Sequence, residues 1–142
     1  MSDIMQGINA YALDALVQAA AGDSEIIAPV TIYEDFFPGD ADDELMCRHD
    51  PSPVITRRYL TGSYWAQFDF SYYARSKNPE AARKTLAALV DALNIDAFSA
   101  LFGIAEGRLN AVTRPSPVGE DEAGVRTYTS SFRLVYFQED TV

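Results

Sequence analysis

The chain has 142 residues, the size of one domain, and a chain of that length buries enough surface to fold without disulfides or a structural metal. Hydrophobic residues are 48% and aromatics 12%, which excludes a disordered chain. The formal net charge is −10; so acidic a surface repels phosphate backbones and anionic lipid, so neither direct DNA binding nor membrane binding is expected.

A single domain over residues 1–142 is expected, since no composition shift or internal repeat divides the chain. Its start does not read as a signal peptide: there is no basic segment, and Asp3, Asn9 and Asp14 interrupt any apolar run. No stretch approaches the ~18 apolar residues that span a bilayer, so a cytoplasmic site of synthesis is expected. Ile4, Ile8, Ala12, Ala15, Leu16 and Ala19 recur at helical spacing, with Ser2 or Asp3 as cap and Gly22 as stop.

Residues 26–33 form a β-branched run that Pro29 confines to an edge strand or a strand start. Phe36-Phe37-Pro38-Gly39 then turns the chain into an acidic loop of Asp40, Asp42, Asp43 and Glu44. That loop is expected to project into water, because burying so many unpaired charges is prohibitive. A short strand is predicted from Leu45 to His49, and a turn at Asp50-Pro51-Ser52-Pro53.

The clearest β region is 54–60 followed by 64–75, joined at Thr61-Gly62-Ser63. Tyr64, Ala66, Phe68, Phe70, Tyr72 and Ala74 alternate with Trp65, Gln67, Asp69, Ser71, Tyr73 and Arg75, the pattern of a half-buried antiparallel strand. Asn78-Pro79-Glu80 opens the best helix: asparagine caps, proline loses no donor, and glutamate suits the positive end of the dipole. Its apolar stripe runs through Ala82, Leu86, Leu89, Val90 and Leu93. A short helical continuation is predicted over 94–102, a weaker strand over 107–113, loops over 114–117 and 119–124, and a long final strand over 125–138. Tyr128, Phe132, Leu134 and Tyr136 mark its core face, while Val135 and Phe137 suggest cover on both faces at its end. The expected class is α+β, an antiparallel or mixed sheet with two main helices packed on one face. Phe68, Phe70, Leu86 and Leu89 are expected in one core.

No catalysis is expected. The lone Cys47 and His49 share a strand face but lack the further ligands a zinc site needs. The acidic loop lacks the spacing of a calcium loop. No P-loop, dinucleotide fingerprint or nucleophile elbow occurs. No cofactor and no metal dependence are therefore expected, and exhaustive chelation should leave the melting temperature unchanged. Trp65 and Tyr73, on the more polar face of the strongest strand, are either core-edge covers or interface residues, and Arg75 stands on the same face.

The run Tyr59-Leu60-Thr61-Gly62-Ser63-Tyr64, then Ala66-Gln67-Phe68-Asp69-Phe70, then Tyr73-Ala74-Arg75-Ser76, followed by a helix from Asn78-Pro79-Glu80-Ala81 to Leu93, resembles the tail-terminator, or minor capsid, proteins of the head–tail joining region of long-tailed bacteriophages. Phe36-Phe37-Pro38 before an acidic turn is similar too. The likeness covers mainly residues 26–93. It implies a virion protein, assembled in the host cytoplasm, that forms a homo-oligomeric ring, generally a hexamer. The ring caps the head-proximal end of the tail tube, ends polymerisation, and meets the tail-tube protein on one side and a head-side connector or stopper on the other. DNA passes through without specific binding. Asp40, Asp42, Asp43 and Glu44 become candidates for the lumen or an inter-ring contact, and Trp65, Tyr73 and Arg75 for the subunit interface. Another neck or tail component, such as a tube subunit or head-completion protein, and a cytoplasmic small-ligand-binding module are the other classes that fit.

Overall fold

The computed structural model describes residues 2–28, 31–39, 43–50, 55–59, 62–102, 104–121 and 124–138. Helix α1 spans Ser2–Gly22; strands β1 (Tyr33–Glu34), β2 (Glu44–Asp50), β3 (Ile55–Arg58) and β4 (Tyr64–Ser76) follow. Helix α2 (Pro79–Ala92) precedes β5 (Ile95–Leu101), β6 (Ile104–Ala111), β7 (Ser116–Glu120) and β8 (Arg126–Gln138). The class is α+β with a mixed sheet. Its main path runs β1-β2-β4-β8-β6-β5, with β3 also on β4 and β7 also on β8. Only the β1–β2 pair is parallel among the described pairings.

Two long strands form the spine. β4 and β8 pair in continuous register from Tyr64↔Gln138 to Ser76↔Arg126. Each carries two shorter strands in tandem on its other side. Along β4, β3 pairs near Tyr64–Ala66 and β2 from Asp69 to Arg75. Along β8, β6 pairs with residues 132–137 and β7 with residues 126–129.

The alternation decides which face the helices cover. Ala66, Phe68, Phe70, Tyr72 and Ala74 of β4, with Phe132, Leu134 and Tyr136 of β8, are buried against α1 and α2 in one core. From α1 come Met5, Ile8, Ala12 and Leu16, and from α2 Ala82, Leu86 and Leu89. Phe68, Phe70, Leu86 and Leu89 therefore do share a core. Helix α2 starts as its sequence dictates: the Asn78 side chain accepts from the Glu80 N–H at 3.1 Å, with Pro79 in the first turn.

Three segments differ from the sequence expectation. Of the run 26–33, only Tyr33 is in a strand; the Ile27 N–H instead donates to Thr85 Oγ1 of α2 at 2.9 Å, and Pro29 and Val30 lie outside the described residues. Residues 95–101 form a strand, not a helical continuation. α2 ends at Ala92, and Phe98 pairs with Gly107 across the β5–β6 hairpin. Tertiary pairing there overrides a spacing that reads as helical. Ser116–Glu120, expected as loop, is an edge strand on β8, where Pro117 is tolerated because an edge position need not donate.

Gly107 is required by this packing. A Cβ there would stand 2.8 Å from Phe98 Cζ and 2.9 Å from the Val135 carbonyl oxygen. The ring could shift, but the central-strand backbone cannot. Gly107→Ala is expected to cost ~1–3 kcal/mol, read as a lower urea midpoint at unchanged slope; an unchanged midpoint would show that the hairpin yields freely.

Candidate interaction surface

Opposite the helices, the sheet presents the alternate side chains, and among the described residues no helix covers them. Trp65, Gln67, Asp69, Ser71, Tyr73 and Arg75 lie along β4, facing Phe137, Val135, Arg133, Ser131, Thr129 and Thr127 of β8. This surface divides into three zones. At one end Trp65 and Phe137 are directly paired, ring centroids 5.6 Å apart, and Tyr59 stands 6.3 Å from Phe137. Beside them an open groove of about 550 Å³ runs to β5, lined by Phe98, Glu106, Gly107 and Arg108.

The middle is polar and satisfied within the subunit. Arg133 Nε donates to Asp69 at 3.0 Å, Gln67 donates to the same carboxylate, and the Ser71 hydroxyl lies between Asp50 and Ser131. At the far end Arg75 bridges Glu44 and Asp121, each at 3.3 Å, and its guanidinium lies 5.5 Å from the centre of the Phe37 ring.

Trp65 and Tyr73 are eight positions apart on a continuous strand, or ~27 Å. The structure thus brings Tyr73 and Arg75 to one end and Trp65 to the other, so they cannot form one small patch. Arg75 is engaged inside its own subunit, holding three segments together.

The acidic loop is partly corrected. Asp40 and Asp42 lie outside the described residues. Asp43 is exposed and accepts from the Ser76 hydroxyl at 2.6 Å. Glu44 does not project: it is 3% exposed, begins β2 opposite Arg75, and accepts from the Gly39 N–H and Arg75 through Oε1. Its Oε2 has no hydrogen-bond partner. A buried carboxylate is tolerated here because a guanidinium pairs with one of its oxygens, a pairing across strands that spacing alone does not reveal.

Cys47 and His49 do not form a pair of ligands. Cys47 is buried, with Asn9 Nδ2 3.5 Å from its sulfur, while His49 is exposed and stands edge-on to the Phe68 ring at 4.9 Å. Among the described residues no group of three His, Cys, Asp or Glu could hold a metal ion. Asn9 also accepts from the Tyr72 hydroxyl at 2.6 Å, which ties α1 to the sheet.

Burial raises the Cys47 thiol above its ordinary 9.0 and the Tyr72 phenol well above its ordinary 10.0. The folded chain keeps these protons while the unfolded chain releases them. Their contribution is therefore complete below the ordinary thiol value and is lost as pH rises through and above it. The urea midpoint is expected to fall from about pH 8 to about pH 10.5, less steeply in Cys47→Ala. Identical slopes would mean the thiol does not couple to folding.

The aromatic end was only half visible in the sequence. The sequence marks Trp65 as an aromatic on a polar face and Phe137 as a residue on the non-core face of the last strand, but nothing local brings the two, or Tyr59, together; that takes the β4–β8 pairing.

No family model matches the chain, and no curated protein matches it. Among solved structures, a protein whose name states no activity is similar over 99% of this chain and 99% of its own, with a TM-score of 0.56 and 16% sequence identity. That similarity establishes a shared fold over the whole domain and says nothing of activity. No helix among the described residues is long and apolar enough to cross a membrane.

Proposed function

We propose that this chain is a ring-forming structural subunit of a long-tailed phage virion. It caps the head-proximal end of the tail tube, ends tube polymerisation and joins the tail to the head-side connector. The observation that carries the reading is the one-sided fold: both helices pack on one sheet face, and the other, ending in the Tyr59–Trp65–Phe137 cluster, has no described element over it. Aromatic side chains in such a position are suited to subunit contacts, where they bury large area at small entropic cost. The resemblance to tail terminators, mainly over residues 26–93, supports the same reading. A net charge of −10 suits a lumen through which DNA slides without sticking.

The partners are further copies in a ring, generally six, the tail-tube protein and a connector or stopper; no catalysis and no cofactor enter. Negative-stain microscopy of the purified chain tests this. Discrete rings that bind one end of purified tail tubes are the expected result. Long tubes would make the chain a tube subunit instead, and a monomer whose melting temperature rises with a small apolar ligand would make it a binding module. Asp40, Asp42 and Asp43 are the acids left to face the lumen or a neighbouring ring. Their replacement by Asn should lower phage yield and leave subunit stability unchanged; Asp43, the one of the three among the described residues, is exposed, and exposed charges contribute little.

A further inference from the structure

We infer that the groove beside Trp65 and Phe137 receives Phe36 from the next copy of this chain, in a head-to-tail contact. The inference rests on the ring reading above and supplies its contact.

Phe36 is 60% exposed, more than any other large hydrophobic side chain among the described residues. The local backbone holds it there. Asp35 has a left-handed φ of 68° and donates its N–H to the Cys47 carbonyl at 2.9 Å, which anchors the chain to β2. On the other side Phe37 is half-buried, with the Arg75 guanidinium over its ring. Between these two anchored neighbours, Phe36 is left in water at the β1 margin and forfeits the burial of a large apolar side chain.

The hollow lies at the other margin. The groove of about 550 Å³ runs from the Trp65–Phe137 pair to β5, with Phe98 among its lining residues. Trp65, Phe98 and Phe137 are only half-buried, so their rings still offer surface on which a further aromatic can pack. β1 and β5 are the two ends of the six-strand main path, ~24 Å apart at the usual strand spacing. Phe36 therefore does not reach the groove of its own chain.

Shape and charge select a second copy in head-to-tail order. Groove against groove sets two hollows together, and the β1 margin against itself sets two projections together; head to tail fills the hollow and buries the ring. Glu34 and Asp35 are exposed beside Phe36, and Arg48 is exposed on β2, the partner strand of β1. The groove is bordered by exposed Asp96, Glu106 and Arg108. Arg108 of one copy can thus meet the Glu34–Asp35 pair of the next, while Arg48 of the next meets Asp96 and Glu106. Opposite charges then rim an aromatic centre. A contact between two different patches closes into a ring when its rotation divides the circle.

The test is native mass spectrometry with light scattering on the full chain. The wild type should form closed rings. Phe36→Ala removes the projection and Ala97→Trp fills the groove, so each variant alone should be monomeric. Mixed in equal amounts, they should give a one-to-one dimer that grows no further, because one intact projection and one intact groove remain. A misfolded variant could not capture its partner, and Ser99→Trp replaces Ala97→Trp if the latter does not fold. Rings that persist in both variants, or variants that stay monomeric when mixed, would overturn this contact and leave the ring reading standing. A wild-type chain that stays monomeric at every concentration, or stops at a dimer, would overturn both.

Discussion

Phe70→Ala is expected to destabilise the subunit by ~3–5 kcal/mol, among the largest effects of any single truncation in this chain. Phe70 is fully buried at the middle of β4. Its ring stacks on that of Phe132, its register partner on β8, at 5.5 Å; it meets Tyr72 edge-on at 5.8 Å and Phe68 at 5.7 Å. Truncation removes buried apolar area and leaves a void between the two spine strands, whose continuous pairing limits collapse. A urea midpoint shift corresponding to less than about 1 kcal/mol would mean that the core repacks freely. Phe70→Leu should recover most of the loss, since a large aliphatic side chain refills the void.

Arg75→Met is expected to cost roughly 3 kcal/mol, because it leaves the carboxylate of Glu44 buried and uncompensated. Arg75 is itself 17% exposed and Glu44 only 3%, so the penalty comes mainly from the acid. The control is the double variant with Glu44→Leu. Replacing both partners by apolar groups is often near neutral, so Arg75→Met with Glu44→Leu should be more stable than Arg75→Met alone. If the two variants are equally unstable, the ion pair is incidental and the loss belongs to the Phe37 and Asp121 contacts of Arg75.

Much of the spine could be read from residue order alone. Strict alternation along β4 and β8 and the Asn78-Pro79-Glu80 cap are local signals, and the structure follows them closely. Ile95–Leu101 was not legible, because Ile95, Phe98 and Leu101 also fit a helix and only the partner strand, with Gly107 opposite Phe98, decides the matter. β7 was hidden by its Pro and Gly content, which edge strands accept. At the candidate surface, Trp65 and Tyr73 stood out as aromatics on a polar face. The bond between Glu44 and Arg75 joins residues far apart in sequence, so the acid looked like part of a solvated run. The length of β4 also sets Trp65 at one end of that face and Tyr73 and Arg75 at the other.

The order of strands in the sheet sets a timetable for folding. β8 comes last of the strands in the chain yet lies at the centre, between β4 and the β6–β7 pair. Ser76↔Arg126 is the nearest of its pairings with β4 in sequence and Tyr64↔Gln138 the most distant. No part of the spine can therefore form from neighbours in the chain. Until β8 docks, β4 exposes a long edge of unpaired backbone N–H and C=O groups, β7 has no strand to flank, and β6 is paired with β5 alone. Topologies dominated by such distant pairings fold in roughly milliseconds to seconds, not microseconds. During that interval the open edge of β4 is the surface on which two unfinished chains can join wrongly, so the yield of refolded protein is limited by concentration before it is limited by stability.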